Sequence, residues 1–423
     1  MPDIDSGNTA WVLISAALVL FMVPGLAFFY AGMVRSKNVL GMLMQNFFSL
    51  GLVSVLWVLL GFTLAFGKDL GGGLLGALDF IGLSKLAEVP GFTDDLALTI
   101  PPMAFVAFQM MFAVITPALI TGAIADRMKF GAWVVFLGVW SIVVYAPVAH
   151  WVFSPGGWLF QRGALDFAGG TVVHINAGIA ALALILVLGR RKGWPAEAMP
   201  PHSLPLTLLG TGILWFGWFD FNAGSALGAN GIAGQALLNT HVAAAMAMCS
   251  WLVVERMKDG KATTLGGASG AVAGLVAITP CAGFVNTIGA LAIGAVAGAV
   301  CFLAILLKYK LRYDDSLDVV AVHLVGGIIG SILLGLFADH SINGATGDGI
   351  LLGGNAELLV NQFIAVGATL AFSGILSFVL AKAIDLTMGL RVTEDDEAQG
   401  LDTTQHAETA YSFGDVRSLG RVA

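Results

Sequence analysis

The sequence has few charged residues. They make up 11% of its 423 residues, against about 25% in an average soluble domain, while 57% of the residues are hydrophobic. The 20 Lys and Arg residues are outnumbered by 27 Asp and Glu residues, so we expect no basic surface that could neutralise nucleic-acid phosphates. This composition excludes an ordinary soluble enzyme, a disordered chain and a nucleic-acid-binding protein, and it predicts a membrane protein.

Cysteine and the common catalytic motifs are equally scarce. Cys249, Cys281 and Cys301 lie in apolar stretches and show neither a disulfide framework nor metal-ligand spacing. The sequence also contains no HExxH helix, P-loop, GxSxG elbow or paired-carboxylate motif. We therefore expect no enzyme activity, no metal and no organic cofactor.

Long stretches without Asp, Glu, Lys or Arg are abundant, and each can supply the roughly 20 apolar residues of a membrane helix. They cover 6–34, 38–67, 96–125, 130–161, 167–189, 198–219, 221–254, 262–307, 319–338 and 358–381. The stretch 262–307 is long enough for two helices, and Pro280, Gly283 and Asn286 predict a turn near its middle. The sequence thus predicts an all-α polytopic membrane protein with eleven transmembrane helices.

The basic residues predict the orientation of these spans. With eleven helices, all but three of the 20 Lys and Arg residues fall on one side of the membrane, and Lys68, Lys85 and Arg162 fall on the other. Cytoplasmic loops carry the excess of Lys and Arg. We therefore expect a multi-pass protein of the cell inner (plasma) membrane, with its N-terminus outside and its C-terminus in the cytoplasm.

The composition changes near Met388. We expect a transmembrane domain over residues 1–387 and a cytoplasmic tail over 388–423, which contains an acidic run at 394–397. Such a tail is either solvated and disordered or a regulatory segment that docks under the helix bundle.

A short repeat links two of the predicted helices. Val-Val-His-Ile-Asn-Ala-Gly-Ile at 172–179 matches Ala-Val-His-Leu-Val-Gly-Gly-Ile at 321–328 in four of eight positions, including His174 and His323. The first copy lies on helix 5 and the second on helix 10, which run in opposite directions. This predicts an inverted repeat of helices 1–5 and 6–10, with a transport site near the membrane midplane.

Histidines inside membrane spans are costly and usually mark a pathway. The repeat would bring His174 and His323 together, where two imidazoles can share one proton. His241 has no repeat partner and is expected in the core, and His150 is expected at the membrane interface. Asp166 would cap helix 5, and Asp318 would open helix 10 in a similar way.

Several motifs identify a family. The segment Gly-Ala-Leu-Asp-Phe-Ala-Gly-Gly-Thr-Val-Val-His-Ile-Asn-Ala at 163–177 resembles the signature of the ammonium transporter family (Amt/Mep/Rh). Supporting matches occur at 24–32, 35–40, 107–109, 218–225 and 322–323, and the segment 402–411 is similar to the tail of bacterial Amt members.

This resemblance implies a homotrimer with one pore in each subunit. Phe108 and Phe221 would form a stacked phenyl gate, and His174 and His323 would be the twin histidines of the pore. Ser225 would line an outer substrate site, together with Phe108, Phe153 and Trp218 of the 218–225 motif, and Asp166 would be the supporting carboxylate. A PII-family signal protein would bind the cytoplasmic face.

Two positions depart from the family pattern. The Amt branch usually has Trp where this chain has Phe153, and Phe is the weaker partner for a cation; Trp151 could compensate in part. Asp220 stands where a small residue is usual, and could add negative charge near the mouth.

The expected activity is electrogenic ammonium uptake. Ammonium would be recruited at the outer site and deprotonated, and ammonia plus a relayed proton would pass the twin-histidine pore. Two alternatives stay open: an electroneutral, Rhesus-like ammonia channel, and an ammonium sensor that signals through the tail.

Overall fold

The computed structural model describes residues 3–86 and 98–411. We number the main helices α1 to α11 in chain order. They span Ser6–Met33, Val39–Phe66, Pro102–Ile124, Phe130–Gln161, Gly170–Leu188, Leu204–Ala226, Gly231–Asp259, Thr264–Ile278, Thr287–Leu311, Val320–Phe337 and Glu357–Met388. Short 3₁₀ turns cover Ile81–Leu83 and Ile350–Leu352. Two short helices follow, α12 at Glu394–Gln399 and α13 at Leu401–His406. Arg417 and Arg421, counted above with the tail, lie outside the described residues.

Ten of these helices are long and apolar enough to cross a membrane, and α8 is a shorter apolar helix. The stretch 262–307 divides as predicted, because α8 ends at Ile278 and α9 begins at Thr287. With 15 residues, α8 is about 22 Å long. It is shorter than the hydrocarbon core of about 30 Å, but its residues from Gly266 to Ile278 are mostly buried by other helices. The prediction of an all-α polytopic fold is confirmed.

Large apolar side chains cover the outside of the bundle. On α11, for example, Val360, Phe363, Ile375 and Val379 are each about half exposed. Because the backbone groups of a helix are satisfied internally, such a surface suits contact with lipid. The chain is therefore a multi-pass membrane protein.

Helices α5 and α10 cross in opposite directions at the centre of the bundle. Gly178 of α5 lies against Leu324 of α10, while the Thr171 hydroxyl lies 3.5 Å from that of Ser331. Residue numbers therefore rise along one helix as they fall along the other. This is the geometry that the inverted repeat predicts.

One end of the bundle is held together by buried ion pairs, and we call it the tail face because residues 389–411 dock there. Asp126 pairs with Arg35 at 3.1 Å and with Arg191 at 3.6 Å, and Arg191 pairs with Asp314 at 2.8 Å. The buried Arg127 donates to the Asp314 carbonyl at 2.6 Å. These contacts tie the ends of α1, α3 and α5 to the segment before α10.

The first part of the tail is folded against this face. Asp402 accepts a hydrogen bond from the Gly41 N–H at the start of α2, at 2.8 Å. Arg391 pairs with the buried Glu397 at 2.6 Å, and Glu397 also accepts the Lys192 N–H at 2.7 Å. Of the two sequence-based alternatives, residues up to Tyr411 follow the docked one.

Candidate functional site

The two repeat-related histidines meet in the interior. The Nδ1 atoms of His174 and His323 are 3.3 Å apart, and their rings are nearly parallel at 19°, with centroids 5.3 Å apart. Both side chains are almost fully buried. At this distance one ring donates a hydrogen bond and the other accepts it, so the pair holds one proton between its two facing nitrogens.

Each histidine lies in a π-helical turn of its helix. The turns span Gly170–Ile175 and Val320–Val325. A π-turn widens the helix by one residue and is common at functional sites. The repeated Val-His sequence therefore has the same local backbone in both copies.

A close approach of α5 and α10 brings the rings together. A Cβ atom added at Gly178 would lie 2.5 Å from the Leu324 nitrogen, and one added at Gly327 would lie 3.0 Å from the Gly170 oxygen. Glycine removes the side chains that would separate the helices. These glycines form one of the four identities of the repeat, so the sequence motif encodes the contact as well as the histidines.

The histidine pair borders a narrow apolar cavity of about 10 Å³. Its walls come from Leu26, Ile115, Leu119, Val173, Leu214, Trp218, Phe221 and Val272, among other residues, with both histidines. This volume is close to the minimum that holds one water-sized molecule. The His174 Nε2 atom is buried and has no protein partner, so it is free to bond a small guest.

Aromatic rings stack above His174. Trp218 lies parallel to the His174 ring at 5.4 Å, and its Nε1 donates to the Thr279 hydroxyl at 2.9 Å. Phe221 lies 6.1 Å from the same imidazole. Trp218, predicted at an outer substrate site, is thus a wall of the cavity beside the histidines.

The ring that meets Phe221 is Phe112 and not Phe108. The Phe112 and Phe221 centroids are 4.4 Å apart, and Phe108 lies edge-on to Phe112 at 4.9 Å. Among the described residues no ring contact joins Phe108 directly to Phe221. Phe112, one helical turn further along α3, contacts both rings, and the gate of Phe108 and Phe221 stays a prediction.

Phe108 and Ser225 lie on the far side of this aromatic pair. A Cβ at Gly224 would come within 2.9 Å of the Phe108 ring, so the ring packs beside the turn that carries Ser225. The Ser225 hydroxyl donates to the Phe221 carbonyl at 2.9 Å. Phe153 is half-buried near the end of α4 and makes no ring contact with Phe108 or Phe221 in the described part of the chain.

Comparison with known proteins identifies the architecture around this pair. The sequence model of the Ammonium Transporter Family matches residues 10–411. The chain belongs to this family. An ammonium transporter of Mycobacterium tuberculosis (strain H37Rv) is 52% identical over 433 residues, with 97% of this chain and 91% of that protein covered. One from Bacillus subtilis (strain 168) is 49% identical over 406 residues, covering 96% and 98%.

The fold agrees with the sequence match. The crystal structure of Saccharomyces cerevisiae Mep2 has a TM-score of 0.88 to this chain at 35% identity, covering 97% of this chain and 94% of that one. The expectation of a transporter and not an enzyme is confirmed by this membership.

In this member of the ammonium transporter family, Asp166 caps the histidine-bearing turn of α5. Its two carboxylate oxygens accept the N–H groups of Gly169, Gly170, Thr171 and Val172 at 2.6 to 3.1 Å. Gly169 has a φ of 114°, a left-handed conformation that favours glycine. The carboxylate thus fixes the backbone five residues before His174.

The corresponding carboxylate of α10 is Asp315 and not the predicted Asp318. Asp315 accepts the Val320 N–H at 2.7 Å, whereas Asp318 pairs with Lys308 at 2.5 Å. The repeat itself contains the signal for this assignment. His174 follows Asp166 by the same interval that separates His323 from Asp315.

Other singled-out residues have structural partners. The Asp220 carboxylate accepts a hydrogen bond from Ser15 at 3.3 Å. The Trp151 Nε1 donates to the Leu74 carbonyl at 2.8 Å, and its ring packs on Phe372 at 4.6 Å. These contacts hold Trp151 against α11.

The two remaining histidines of the spans have different surroundings. His150 is fully buried by the protein near the end of α4, where its ring nitrogens bond the Ala65 carbonyl at 2.9 Å and Asp69 at 3.2 Å. His241 is exposed on α7 and not in the core, where its ring lies 5.5 Å from Trp215.

Proposed function

We propose that this chain takes up ammonium electrogenically by separating the ion into ammonia and a proton. The observation that carries the proposal is the buried, hydrogen-bonded pair of His174 and His323 beside an apolar cavity of single-molecule size. An apolar pore would admit neutral ammonia, whereas an unpaired ion in such surroundings is prohibitively costly. The histidine pair supplies a separate route for the proton.

We propose that ammonium is recruited at the end of the pore that lies beyond Phe112 and Phe221, on the side away from the histidines. Phe108 offers a ring face near Ser225, and aromatic faces attract cations by about 0.5–2 kcal/mol. The Ser225 hydroxyl oxygen can accept one ammonium N–H while its own hydrogen stays on the Phe221 carbonyl. We assign Phe153 and Asp166 to the same end of the pore. Asp166 contributes negative charge there, mainly by capping the N-terminus of α5.

We place the phenyl gate at Phe221 with Phe112, as an alternative to the pair of Phe108 and Phe221 that the resemblance implies. The rings of Phe112 and Phe221 are in direct contact, and Phe221 also lines the cavity, so the pair stands at the edge of the cavity. Beyond the gate, Trp218 restricts the width of the cavity, and the free His174 Nε2 accepts an N–H from ammonia. The proton moves through the paired Nδ1 atoms, which can exchange donor and acceptor roles.

Selectivity against potassium follows from this chemistry. Potassium has the same charge as ammonium but carries no removable proton. It would therefore have to enter the apolar cavity as an ion, at the full cost of desolvation. A pore that transports ammonia and a proton by separate routes excludes potassium without any site that measures ion size.

The test is the current from proteoliposomes on a solid-supported membrane after a rapid ammonium pulse, with potassium as control. We expect a transient current with ammonium and none with potassium, and we expect His174→Ala with His323→Ala to remove it. Ammonium-driven pH change inside the vesicles without any current would instead establish the electroneutral, Rhesus-like alternative. An unchanged, ammonium-selective current from the double variant would falsify the relay.

The orientation proposed is N-terminus outside and tail face in the cytoplasm. The basic residues of the tail face, which include Arg35, Arg127 and Arg191, support it. Protease cleavage of the tail in right-side-out vesicles checks this directly. The tail should be protected until the vesicles are opened.

We also propose a homotrimer. His241 is exposed on α7 within a membrane span, next to the buried and unpartnered Trp215 Nε1. A polar imidazole facing lipid is unfavourable, and a second copy packed on α7 would cover His241. Mass measurement of the protein in mild detergent should give three copies, and a monomeric mass would overturn the proposal.

A PII-family signal protein is the partner proposed for the tail face. The docked tail places α12 and α13 among the helix ends where such a protein would bind. Purified PII protein should bind the full chain more tightly than a chain truncated at Met388. Equal binding to both would leave the tail without this role.

A further inference from the structure

We propose that Asp315 is the proton acceptor at the tail-face end of the relay, taking the proton from the histidine pair and releasing it to the cytoplasm. The inference rests on the proposed electrogenic function and deepens it. It names the group that completes the proton pathway on the side opposite to recruitment. The geometry that points to it is an asymmetry between two repeat-related carboxylates.

The asymmetry lies in how the two carboxylates use their oxygens. Both oxygens of Asp166 are occupied, and together they accept four backbone N–H groups. Asp315 is only 1% exposed. Its Oδ2 accepts the Val320 N–H, but its Oδ1 is buried without a hydrogen-bond partner. Asp166 thus spends both oxygens on its backbone, whereas Asp315 keeps one buried oxygen available for a proton.

The neighbouring carboxylates are committed elsewhere. Asp314 receives a bidentate contact from Arg191, at 2.8 to 3.3 Å, and Asp318 pairs with Lys308. The Lys308 Nζ meets Asp315 only at its backbone carbonyl, at 3.3 Å. Of the three acids in Asp-Asp-Ser-Leu-Asp, Asp315 alone has no cation within hydrogen-bonding distance of its carboxylate. It is therefore free to change its protonation state.

The surroundings of Asp315 bring its pKa near the range of a proton carrier. The groups that face it are Tyr30 of α1, Lys308 of α9, and Tyr313 and Asp318 of the segment before α10. Burial and the Asp318 carboxylate raise the pKa of Asp315 to about 6, against the opposing effect of Lys308. A group with this pKa accepts a proton readily and releases it at neutral pH.

Tyr30 connects this carboxylate with the cavity. Its hydroxyl donates to the Leu119 carbonyl at 3.0 Å, Leu119 lines the cavity, and Tyr30 is close enough to Asp315 to interact electrostatically. His323 lies eight residues beyond Asp315, in the π-turn whose first N–H group Asp315 accepts, and the route proposed between them is a chain of water.

The proton balance is simple. The protonated histidine pair gives its proton through water to Asp315 Oδ1 and becomes neutral. The carboxylate becomes a carboxylic acid. It then gives the proton to cytoplasmic water or to the ammonia that leaves the pore, and it becomes a carboxylate again.

The test compares Asp315→Asn with Asp318→Asn in proteoliposomes, with the same pH on both sides. Asn keeps the acceptor oxygen for the Val320 N–H but cannot take up a proton. We expect the wild-type current to fall as the pH drops through about 6, because the acceptor is then already protonated. Asp315→Asn should lower the current on the order of tenfold or more at neutral pH and abolish this acid-side fall.

Asp318→Asn is the matched control, one turn away. It removes a neighbouring negative charge and frees Lys308, and both changes lower the pKa of Asp315. The current should persist, with its acid-side fall moved to lower pH. This shift tests the proposal even if Asp315→Asn does not fold.

The outcomes separate the two proposals. No ammonium current from the wild-type protein would overturn the electrogenic function. A wild-type current with the same size and pH profile in Asp315→Asn would overturn the role of Asp315 alone, as would an Asp318→Asn profile identical to that of the wild type. A smaller Asp315→Asn current with an unchanged pH profile would indicate a merely structural cap.

Discussion

The two histidine-bearing turns, Gly170–Ile175 and Val320–Val325, share a backbone but differ in how each is held. Both are π-helical, both carry Val-His, and both follow an aspartate that accepts N–H groups of the turn. Asp166 binds its turn through four N–H groups, whereas Asp315 binds its turn through fewer and keeps one oxygen free. An inverted repeat thus supplies a symmetric pair of histidines, and the residues around it give the two ends different chemistry.

The largest expected effect is a difference in thermal stability between variants of the two capping aspartates, Asp166 and Asp315. Asp166→Ala leaves four N–H groups without their acceptor, and each unsatisfied buried group costs about 1–3 kcal/mol. Asp315→Ala removes fewer such bonds. In detergent, the thermal unfolding temperature should therefore fall much further for Asp166→Ala.

The matching Asn variants serve as controls for these caps. Asp166→Asn keeps one acceptor oxygen and should fall between the wild type and Asp166→Ala. Equal losses of unfolding temperature at the two aspartates would mean that the caps are equivalent, and the comparison of the two turns would no longer hold.

The second expected difference is in the ammonium current of variants at the two repeat-related glycines, Gly178 and Gly327. An added methyl group at Gly178 would meet the Leu324 backbone nitrogen at 2.5 Å, so α5 and α10 must move apart. At Gly327 the nearest atom is the Gly170 oxygen at 3.0 Å, which a small adjustment can relieve. Gly178→Ala should therefore abolish most of the ammonium current, while Gly327→Ala should keep a substantial part.

The reason for this ordering is the distance between the histidines. Their Nδ1 atoms are already 3.3 Å apart, and hydrogen bonds weaken quickly beyond that separation. Similar currents from the two glycine variants, at equal protein amounts, would show that the close helix contact does not set the geometry of the pair.

How much of this site the sequence could predict depends on whether a residue acts through the repeat or through packing. The pairing of His174 with His323 follows from two matched segments on antiparallel helices, and Asp166 follows from its place just before a helix. The position of Phe112 does not follow, because 27 phenylalanines in an apolar chain offer many rings at helical spacing. Only the relative rotation of α3 and α6 selects the one that meets Phe221.

The exposure of His241 and the free oxygen of Asp315 could not be predicted from the sequence either. The sequence gives no sign of which face of α7 points away from the bundle. It also places three acids within five residues before α10 without indicating that Arg191 and Lys308 take two of them. Partner assignment of this kind depends on distant segments that meet only in the folded chain.

A third comparison sets Phe112 against Phe108. Phe112 touches Phe221, so Phe112→Ala should open the pore and allow a potassium current that the wild-type protein lacks. Phe108→Ala should leave potassium excluded and raise the half-saturating ammonium concentration several-fold, because one cation–π face contributes about 0.5–2 kcal/mol. Currents measured with each ion separate the two effects, and a potassium current in Phe108→Ala alone would reverse the assignment.

The smallest effect is expected at Phe153, where the comparison is between neighbouring aromatic residues of α4. If Phe153 faces the recruited cation, Phe153→Trp provides a stronger π partner, and the half-saturating ammonium concentration should fall about two- to threefold. Trp151→Phe is the control, because the Trp151 ring packs on Phe372 and its Nε1 bonds the Leu74 carbonyl. It should leave that concentration unchanged. A response at Trp151 and none at Phe153 would place the recruitment site on the other face of α4, away from Phe108 and Ser225.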